Sequence, residues 1–150
     1  MADVVDKQTR SRMMSGIKSK NTKPEIRIRS LLHRQGFRFR IHDKSLPGKP
    51  DIVLKRFHAV IFVHGCFWHA HDCHLFKWPS TKKEFWHSKI EGNKSRDLEN
   101  ITTLKNSGWR ILSIWECSMK GKTRLNEHEL IKIISDWLKS DNVDYEITGR

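Results

Sequence analysis

Ten residues directly after an apolar, strand-like run concentrate metal-binding side chains, and they limit how the chain can fold around them. The segment 64–73 contains two cysteines, three histidines and a pair of adjacent large aromatic residues. The third and last cysteine of the chain follows a second apolar run. Three thiolates and one imidazole suit a tetrahedral zinc ion that organises the loop locally. The candidate ligands are Cys66, His71, Cys73 and Cys117.

The charge of the chain favours a polyanionic partner. There are 29 Lys and Arg residues against 17 Asp and Glu residues, which gives a net charge of +12. Nucleic acid is the leading candidate for the partner. A generally basic surface with no role in nucleic-acid binding is the alternative.

The cysteine count and the apolar runs indicate the compartment. Three cysteines cannot all pair within the chain, and the first residues lack the apolar core of a secretory signal. We therefore expect a reducing cytoplasm. The apolar run 59–63 is far shorter than the ~20 residues that span a bilayer, so no membrane partner is expected.

Local signals predict a single α/β domain with a mixed sheet flanked by helices. Thr22 supplies an N-cap hydroxyl and Glu25 follows three residues later, which predicts a capped helix ending at Gly36. The run 59–63 predicts a strand buried on both faces, at the centre of the sheet. Further strands are predicted at 37–41, 52–54 and 109–115, and further helices at 82–106 and 127–138.

The composition along the chain divides it into three parts. Residues 1–21 are polar and basic, and we interpret them as an arm. Residues 22–140 contain the predicted helices, the predicted strands and the cysteine-rich loop, and they form one domain. Residues 141–150 are interpreted as a C-terminal tail.

Asp51 is the first candidate for catalysis. It follows Pro50 and opens a strand, and an adjacent strand would place the Val63–His64 backbone beside it. A carboxylate next to a main-chain carbonyl suits Mg²⁺, which also binds phosphate oxygens. A turn-capping role is the alternative, since aspartate is common in turns.

Two histidines flank the thiols and remain available once the zinc set is complete. A histidine with a pKa near neutrality can take a proton from an attacking water, so His64 and His69 are candidates for proton transfer. Simple packing, or a different choice of zinc ligand that includes His74, is the alternative.

Aromatic and polar side chains around the loop suit DNA binding. Phe67, Trp68 and Trp86 could stack on bases or wedge between them, worth about 1–3 kcal/mol per stacked base. The alternative is that Trp68 or Trp86 covers the zinc loop as ordinary core. Lys89 and Asn93 share a helix face and could present a cation and an amide to one groove, or form part of a solvated surface.

Together these residues resemble the very short patch repair (Vsr) DNA mismatch endonucleases, a bacterial family of strand-nicking enzymes with a restriction-endonuclease-like fold. The likeness covers nearly the whole chain, and its central block is the most specific part. The motifs that carry it are Thr9–Ser11 with Met14, Leu46–Asp51, Val60–His69, Glu84–Trp86, Arg96–Asp97, Gly108–Arg110 and Trp115–Cys117.

The resemblance implies a role for each site residue. Asp51 and the main-chain carbonyl of Val63 would bind Mg²⁺, while His69 activates water with help from Asp97. His64 and Glu25 would support this site, although Glu25 is also explained as a capping-box residue. The four thiol and imidazole ligands would hold a structural zinc. The residues implied for DNA binding are Phe67, Trp68 and Trp86 as a wedge, Lys89 and Asn93 as readers of the wobble pair, and Met14 from the opposite groove.

The implied reaction is a Mg²⁺-dependent nick 5′ to the thymine of a T·G mismatch, the product of 5-methylcytosine deamination. Val63 departs from the threonine typical of the family, which matters little if only the carbonyl binds metal. The resemblance further implies that the arm 1–21 contacts DNA and that 22–140 is a restriction-endonuclease-like catalytic domain with a zinc-bound loop. It also implies a monomer at the bacterial nucleoid, working beside mismatch-repair proteins and a cytosine methyltransferase. The alternatives are a zinc-stabilised architectural module that bends DNA without cutting it, and a restriction-type nuclease of another specificity.

Overall fold

A computed structural model of the chain describes residues 22–69 and 71–149. The predicted arm, with its motif residues 9–11 and Met14, lies outside the described residues. The helices are α1 (Lys23–Arg34), α2 (Lys83–Asn106) and α3 (Glu127–Lys139). The strands are β1 (Arg40–Ile41), β2 (Ile52–Leu54), β3 (Ala59–His64), β4 (Arg110–Trp115) and β5 (Asp144–Ile147).

The strands form one mixed sheet in the order β1-β2-β3-β4-β5. β1, β2 and β3 pair antiparallel, whereas β3, β4 and β5 pair parallel. β3 is the central strand and five of its six residues are buried. The prediction of a buried central strand at 59–63 is therefore confirmed, as is the α/β class with a mixed sheet.

Apolar clusters cover both faces of the sheet. On one face α1 and α3 pack over Ile52, Ile61 and Leu112, and on the other Leu104 of α2 packs with Val53 and Val60. Successive side chains of β3 point to opposite faces of the sheet, as the pleat of a strand requires. The parallel register aligns the ends of β3 and β4, so the loop after β3 begins beside the segment after β4.

The helix signals in the sequence have visible structural counterparts. The Thr22 hydroxyl accepts a hydrogen bond from the Glu25 N–H at 3.4 Å, as an N-cap should. Gly36 and Gly108, with φ of 84° and 88°, follow α1 and α2 in the left-handed region that favours glycine. Within the described part of the chain, no helix has the length and apolar character needed to cross a membrane.

Three local predictions are corrected. β1 covers Arg40–Ile41 instead of 37–41: in its register with β2, residues 37 and 38 would lie beyond Leu54, where β2 ends, and Phe39, opposite Leu54, is not part of the strand. α2 runs without a break, but its apolar stripe is incomplete, since Leu98 is 68% exposed. The segment 141–150, interpreted as a tail, contributes β5, which pairs with β4 at the edge of the sheet.

Candidate functional site

The loop after β3 and the segment after β4 bring the four predicted zinc ligands together. The ligand atoms of Cys66, His71, Cys73 and Cys117 all lie within 4.8 Å of one another. His71 Nδ1 is 3.6 Å from the Sγ of Cys66 and 3.6 Å from the Sγ of Cys117. Sulfur and nitrogen ligands of a tetrahedral zinc at ordinary bond lengths are about 3.6 Å apart. The donor set therefore fits Zn²⁺ in both chemistry and spacing.

The surroundings of this cluster shift the pKa values of its ligands and position the His71 ring. Burial raises the pKa of the Cys66 and Cys117 thiols and lowers the pKa of His71. Ionised thiolates here need a nearby cation, and a neutral imidazole is the form that binds metal. The His71 ring stacks on Trp115 with centroids 4.1 Å apart. His74, the alternative ligand, is outside the set and contacts the Thr123 hydroxyl at 3.5 Å.

A second cluster joins the start of α1 to the start of β2. Asp51 Oδ2 accepts a hydrogen bond from the Val63 N–H at 2.7 Å. Glu25 is only 1% exposed, and its Oε2 lies 2.6 Å from His42 Nε2 and 2.9 Å from Arg29 Nη2. Ligand atoms of Glu25, His42 and Asp51 all lie within 4.8 Å of one another. The Glu25 carboxylate thus belongs to the Asp51 cluster, and the Glu25 N–H takes part in capping α1.

The electrostatics of this second cluster favour a bound cation. Burial raises the pKa of Asp51 to about 7, and the negative charge of Glu25 adds to the rise, while the Val63 N–H opposes it. A buried and a half-buried carboxylate so close together are stabilised by a divalent cation. Carboxylate and carbonyl oxygens are the ligands that Mg²⁺ prefers, so the residues present fit the ion that the sequence predicts.

A third cluster places two histidines against α2. His69 Nδ1 contacts Asp97 Oδ2 directly, which leaves Nε2 of the same ring available for a second partner. The His64 ring lies 4.6 Å from the His69 ring in an edge-to-face arrangement. Burial, together with the charge of His69, lowers the pKa of His64 to about 4, so that His64 is neutral near pH 7.

The three predicted wedge residues form an aromatic cluster. Ring centroids of Phe67, Trp68 and Trp86 lie between 5.2 and 6.0 Å apart, and all three side chains are half-buried. Neither the DNA-wedge interpretation nor the interpretation as ordinary core describes this arrangement by itself. The rings pack on one another beside the loop, yet each keeps part of its surface exposed to solvent.

Lys89 and Asn93 have different surroundings on α2. Lys89 is exposed. Asn93 Nδ2 donates to the main-chain carbonyl of Trp68 at 3.1 Å, and its Oδ1 accepts from Arg96 Nη2 at 2.5 Å. Asn93 therefore ties the aromatic loop to α2.

Sequence reasoning missed several members of these clusters. Arg29 stands four residues after Glu25 on α1, a spacing that could have predicted the ion pair. His42 had no such signal, because it follows a two-residue strand and lies far from Glu25 in sequence. Phe76 and Trp78 extend the aromatic cluster, with Trp78 exposed and 4.9 Å from Phe76.

A mixed sheet with the half-buried Asp51 at its β2–β3 edge, the buried Glu25 carboxylate of α1 next to Asp51, and a His–Asp pair at the end of β3 defines a restriction-endonuclease-like α/β domain. The chain belongs to the Vsr DNA mismatch endonuclease family, whose model, described as DNA mismatch endonuclease Vsr, matches residues 2–75. DNA mismatch endonuclease Vsr of Escherichia coli (strain K12) is 46% identical over 147 residues, covering 98% of this chain and 94% of that protein.

Two further relatives carry nicking-enzyme names. Type II nicking enzyme V.XorIIP of Xanthomonas oryzae pv. oryzae is 44% identical over 119 residues, 79% of this chain and 88% of that protein. Type II nicking enzyme V.NmeAIP of Neisseria meningitidis is 42% identical over 138 residues, 91% of this chain and 99% of that protein. These similarities support DNA endonuclease activity of the mismatch or nicking type.

Proposed function

We propose that the chain cuts one DNA strand 5′ to the thymine of a T·G mismatch, in a Mg²⁺-dependent hydrolysis of the phosphodiester. The observation that carries this proposal is a continuous path of contacts from Asp51 to Asp97. Asp51 accepts a hydrogen bond from the Val63 N–H, and His64 follows Val63 in the chain. The His64 ring contacts the His69 ring, and His69 contacts Asp97. A module that only bends DNA has no need for such a path outside its zinc site.

The residues proposed to hold Mg²⁺ are Asp51 and Val63, with Glu25 in support. The N–H and C=O of a strand residue point to the same side. Because the Val63 N–H faces Asp51, we infer that the Val63 carbonyl faces the same edge. Bound there, Mg²⁺ would stabilise negative charge on the scissile phosphate. The valine side chain takes no part in this role.

His69 is proposed as the general base. The Asp97 carboxylate beside Nδ1 would keep the ring proton on that nitrogen, so that Nε2 can accept a proton from the attacking water. The carboxylate fixes the tautomer and stabilises the imidazolium that forms. His64, buried and neutral, supports the His69 ring by edge-to-face contact.

Asp97→Asn tests this pairing. The amide can present its N–H to Nδ1 and favour the wrong tautomer, so we expect the single-turnover nicking rate to fall about 10²-fold. Affinity for the mismatched duplex should stay within a factor of about two, since the contact is not to DNA. Asp136→Asn on α3, an exposed aspartate paired with Lys132, is the matched control. A parental rate for Asp97→Asn would remove Asp97 from the mechanism.

DNA recognition is proposed to combine charge with the aromatic cluster. The chain carries a net charge of +12, which favours contact with phosphates. Insertion of Phe67, Trp68 and Trp86 costs least at a weakly stacked wobble pair, which gives selectivity for the mismatch. We further propose that Lys89 and Asn93 read base edges, and that the arm at 1–21 adds Met14 from the opposite groove.

Trp68→Ala should weaken this selectivity. Loss of one stacking surface is expected to reduce affinity for the T·G duplex about 10-fold and to narrow the T·G to T·A binding ratio. Fluorescence anisotropy with the T·G and T·A duplexes measures both the affinity and the binding ratio. Tyr145→Ala on β5 removes another exposed aromatic ring and should leave the ratio unchanged. An unchanged ratio for Trp68→Ala would count against the wedge.

A covalently closed circular DNA that carries a single T·G pair distinguishes strand nicking from the two alternative functions. The proposal predicts a nicked circle that forms only when Mg²⁺ is present. A linear product would indicate a restriction-type nuclease that cuts both strands. Binding that leaves the circle closed would indicate the architectural module.

The remaining assignments follow from this function. We propose that Zn²⁺ is structural and that the zinc loop presents Phe67, Trp68 and His69 between its ligands. Because DNA is the proposed substrate, we place the chain in the bacterial cytoplasm at the nucleoid, as a monomer. Mismatch-repair proteins remain proposed partners.

A further inference from the structure

His42 makes two connections between the segments that carry the acidic side chains. Its main-chain N–H donates to the carbonyl of Asp51 at 3.2 Å, directly beyond the β1–β2 pairing. Its imidazole Nε2 lies 2.6 Å from Glu25 Oε2 on α1. One residue therefore contacts both the backbone of Asp51 and the carboxylate of Glu25.

The backbone of His42 is in an uncommon conformation. Its φ is 50°, in the left-handed region that non-glycine residues seldom adopt. Such conformations persist when the surrounding contacts hold them, and they concentrate at functional sites. Here the contacts are the two that reach Asp51 and Glu25, and the His42 side chain is 18% exposed.

The distance between His42 and Glu25 indicates how His42 acts. Neighbouring ligands around a Mg²⁺-sized ion, at right angles and ordinary bond lengths, lie about 3.0 Å apart. The 2.6 Å separation is a charge-assisted hydrogen bond, with the ring N–H donating to the carboxylate. Glu25 is almost fully buried, so its orientation depends on donors of this kind, and Arg29 contacts the same oxygen.

We propose that His42 is a positioning residue that fixes the Glu25 carboxylate relative to Asp51 through this donated hydrogen bond. The proposal rests on the function proposed above, because it assigns His42 to the same carboxylate cluster. His42 acts through Glu25 and does not touch substrate. Losing the bond removes one of the donors that orient the Glu25 carboxylate, which Arg29 also contacts, and small displacements of reacting groups are costly in rate.

The test compares His42→Ala with His42→Gln in the full-length, zinc-loaded protein. Glutamine places an N–H at nearly the reach of Nε2, whereas alanine removes the donor. His42→Ala should nick the T·G duplex about 10- to 100-fold more slowly under single-turnover conditions, with unchanged affinity for the duplex. His42→Gln should stay within about threefold of the parent. His128→Ala, an exposed histidine of α3, is the control and should match the parent.

A second measurement does not depend on activity. Binding of Mn²⁺ to the protein without DNA is followed by the electron paramagnetic resonance signal of the free ion. His42→Ala should bind Mn²⁺ about 10-fold more weakly and His42→Gln at the parental level, because the hydrogen bond orders the carboxylates.

Equal losses of nicking rate and Mn²⁺ affinity in His42→Ala and His42→Gln would overturn the role of the donated bond. A parental nicking rate together with parental Mn²⁺ affinity in His42→Ala would overturn it as well. A parent that fails to nick would sink the proposed reaction, while the Mn²⁺ comparison would still decide the role of His42.

Discussion

Asp51→Asn should abolish nicking while leaving the fold and DNA binding intact. The substitution removes the charge on which Mg²⁺ binding depends, and we expect the single-turnover rate to fall on the order of 10³-fold. The amide oxygen can still accept the hydrogen bond from the Val63 N–H. Nicking of a labelled T·G duplex and anisotropy of the same duplex separate catalysis from binding.

Stability provides an internal check on this variant. Burial raises the pKa of Asp51 from its ordinary value of 3.8 to about 7, so its ionised form destabilises the fold above the unfolded pKa. A neutral amide removes that cost, and at pH 8 without added Mg²⁺ Asp51→Asn should melt at the parental temperature or higher. Asp136→Asn, on the exposed face of α3, should change neither rate nor melting temperature. Full nicking by Asp51→Asn would refute the proposed site.

Cys117→Ser should cost the protein its zinc and much of its stability. Cys117 is the ligand that joins the segment after β4 to the loop after β3, and the other three ligands all lie on that loop. Structural zinc contributes its binding free energy to folding. We expect zinc content to fall well below one ion per chain. The melting temperature should drop by about 10 °C or more, equivalent to roughly 3–5 kcal/mol.

His74→Ala is the matched control, because it removes a histidine of the same loop that lies outside the four-ligand cluster. It should retain one zinc per chain, measured by elemental analysis, and a nearly parental melting temperature. Zinc loss in His74→Ala, with zinc retained in Cys117→Ser, would show that the ligand set is a different one.

The parts of the fold that local chemistry determines were predicted from the sequence. Thr22 and Glu25 marked the start of α1, and the apolar run at 59–63 became the central strand. The Vsr resemblance and the α/β class are likewise confirmed. Strand order and β5 were not predicted: Asp144–Ile147 alternates polar and apolar residues, but this run is only four residues long and gains its partner only through β4.

The candidate site was predicted in part, and the missing part depends on tertiary contacts. The four thiol and imidazole ligands share a distinctive spacing, and the structure brings them together. The placement of Asp51 beside Val63 follows from pairing of β2 with β3. The contact between His42 and Glu25 depends on how α1 packs beside the turn after β1, which no local pattern encodes.

The central claim is tested most directly by a duplex with one T·G pair in a CT(A/T)GG context, each strand labelled separately, against its T·A counterpart. The account predicts a single cut 5′ to the mispaired thymine, only with Mg²⁺ and only in the T·G duplex. Equal cutting of both duplexes, or binding to the T·G duplex with no cut in Mg²⁺, would contradict it.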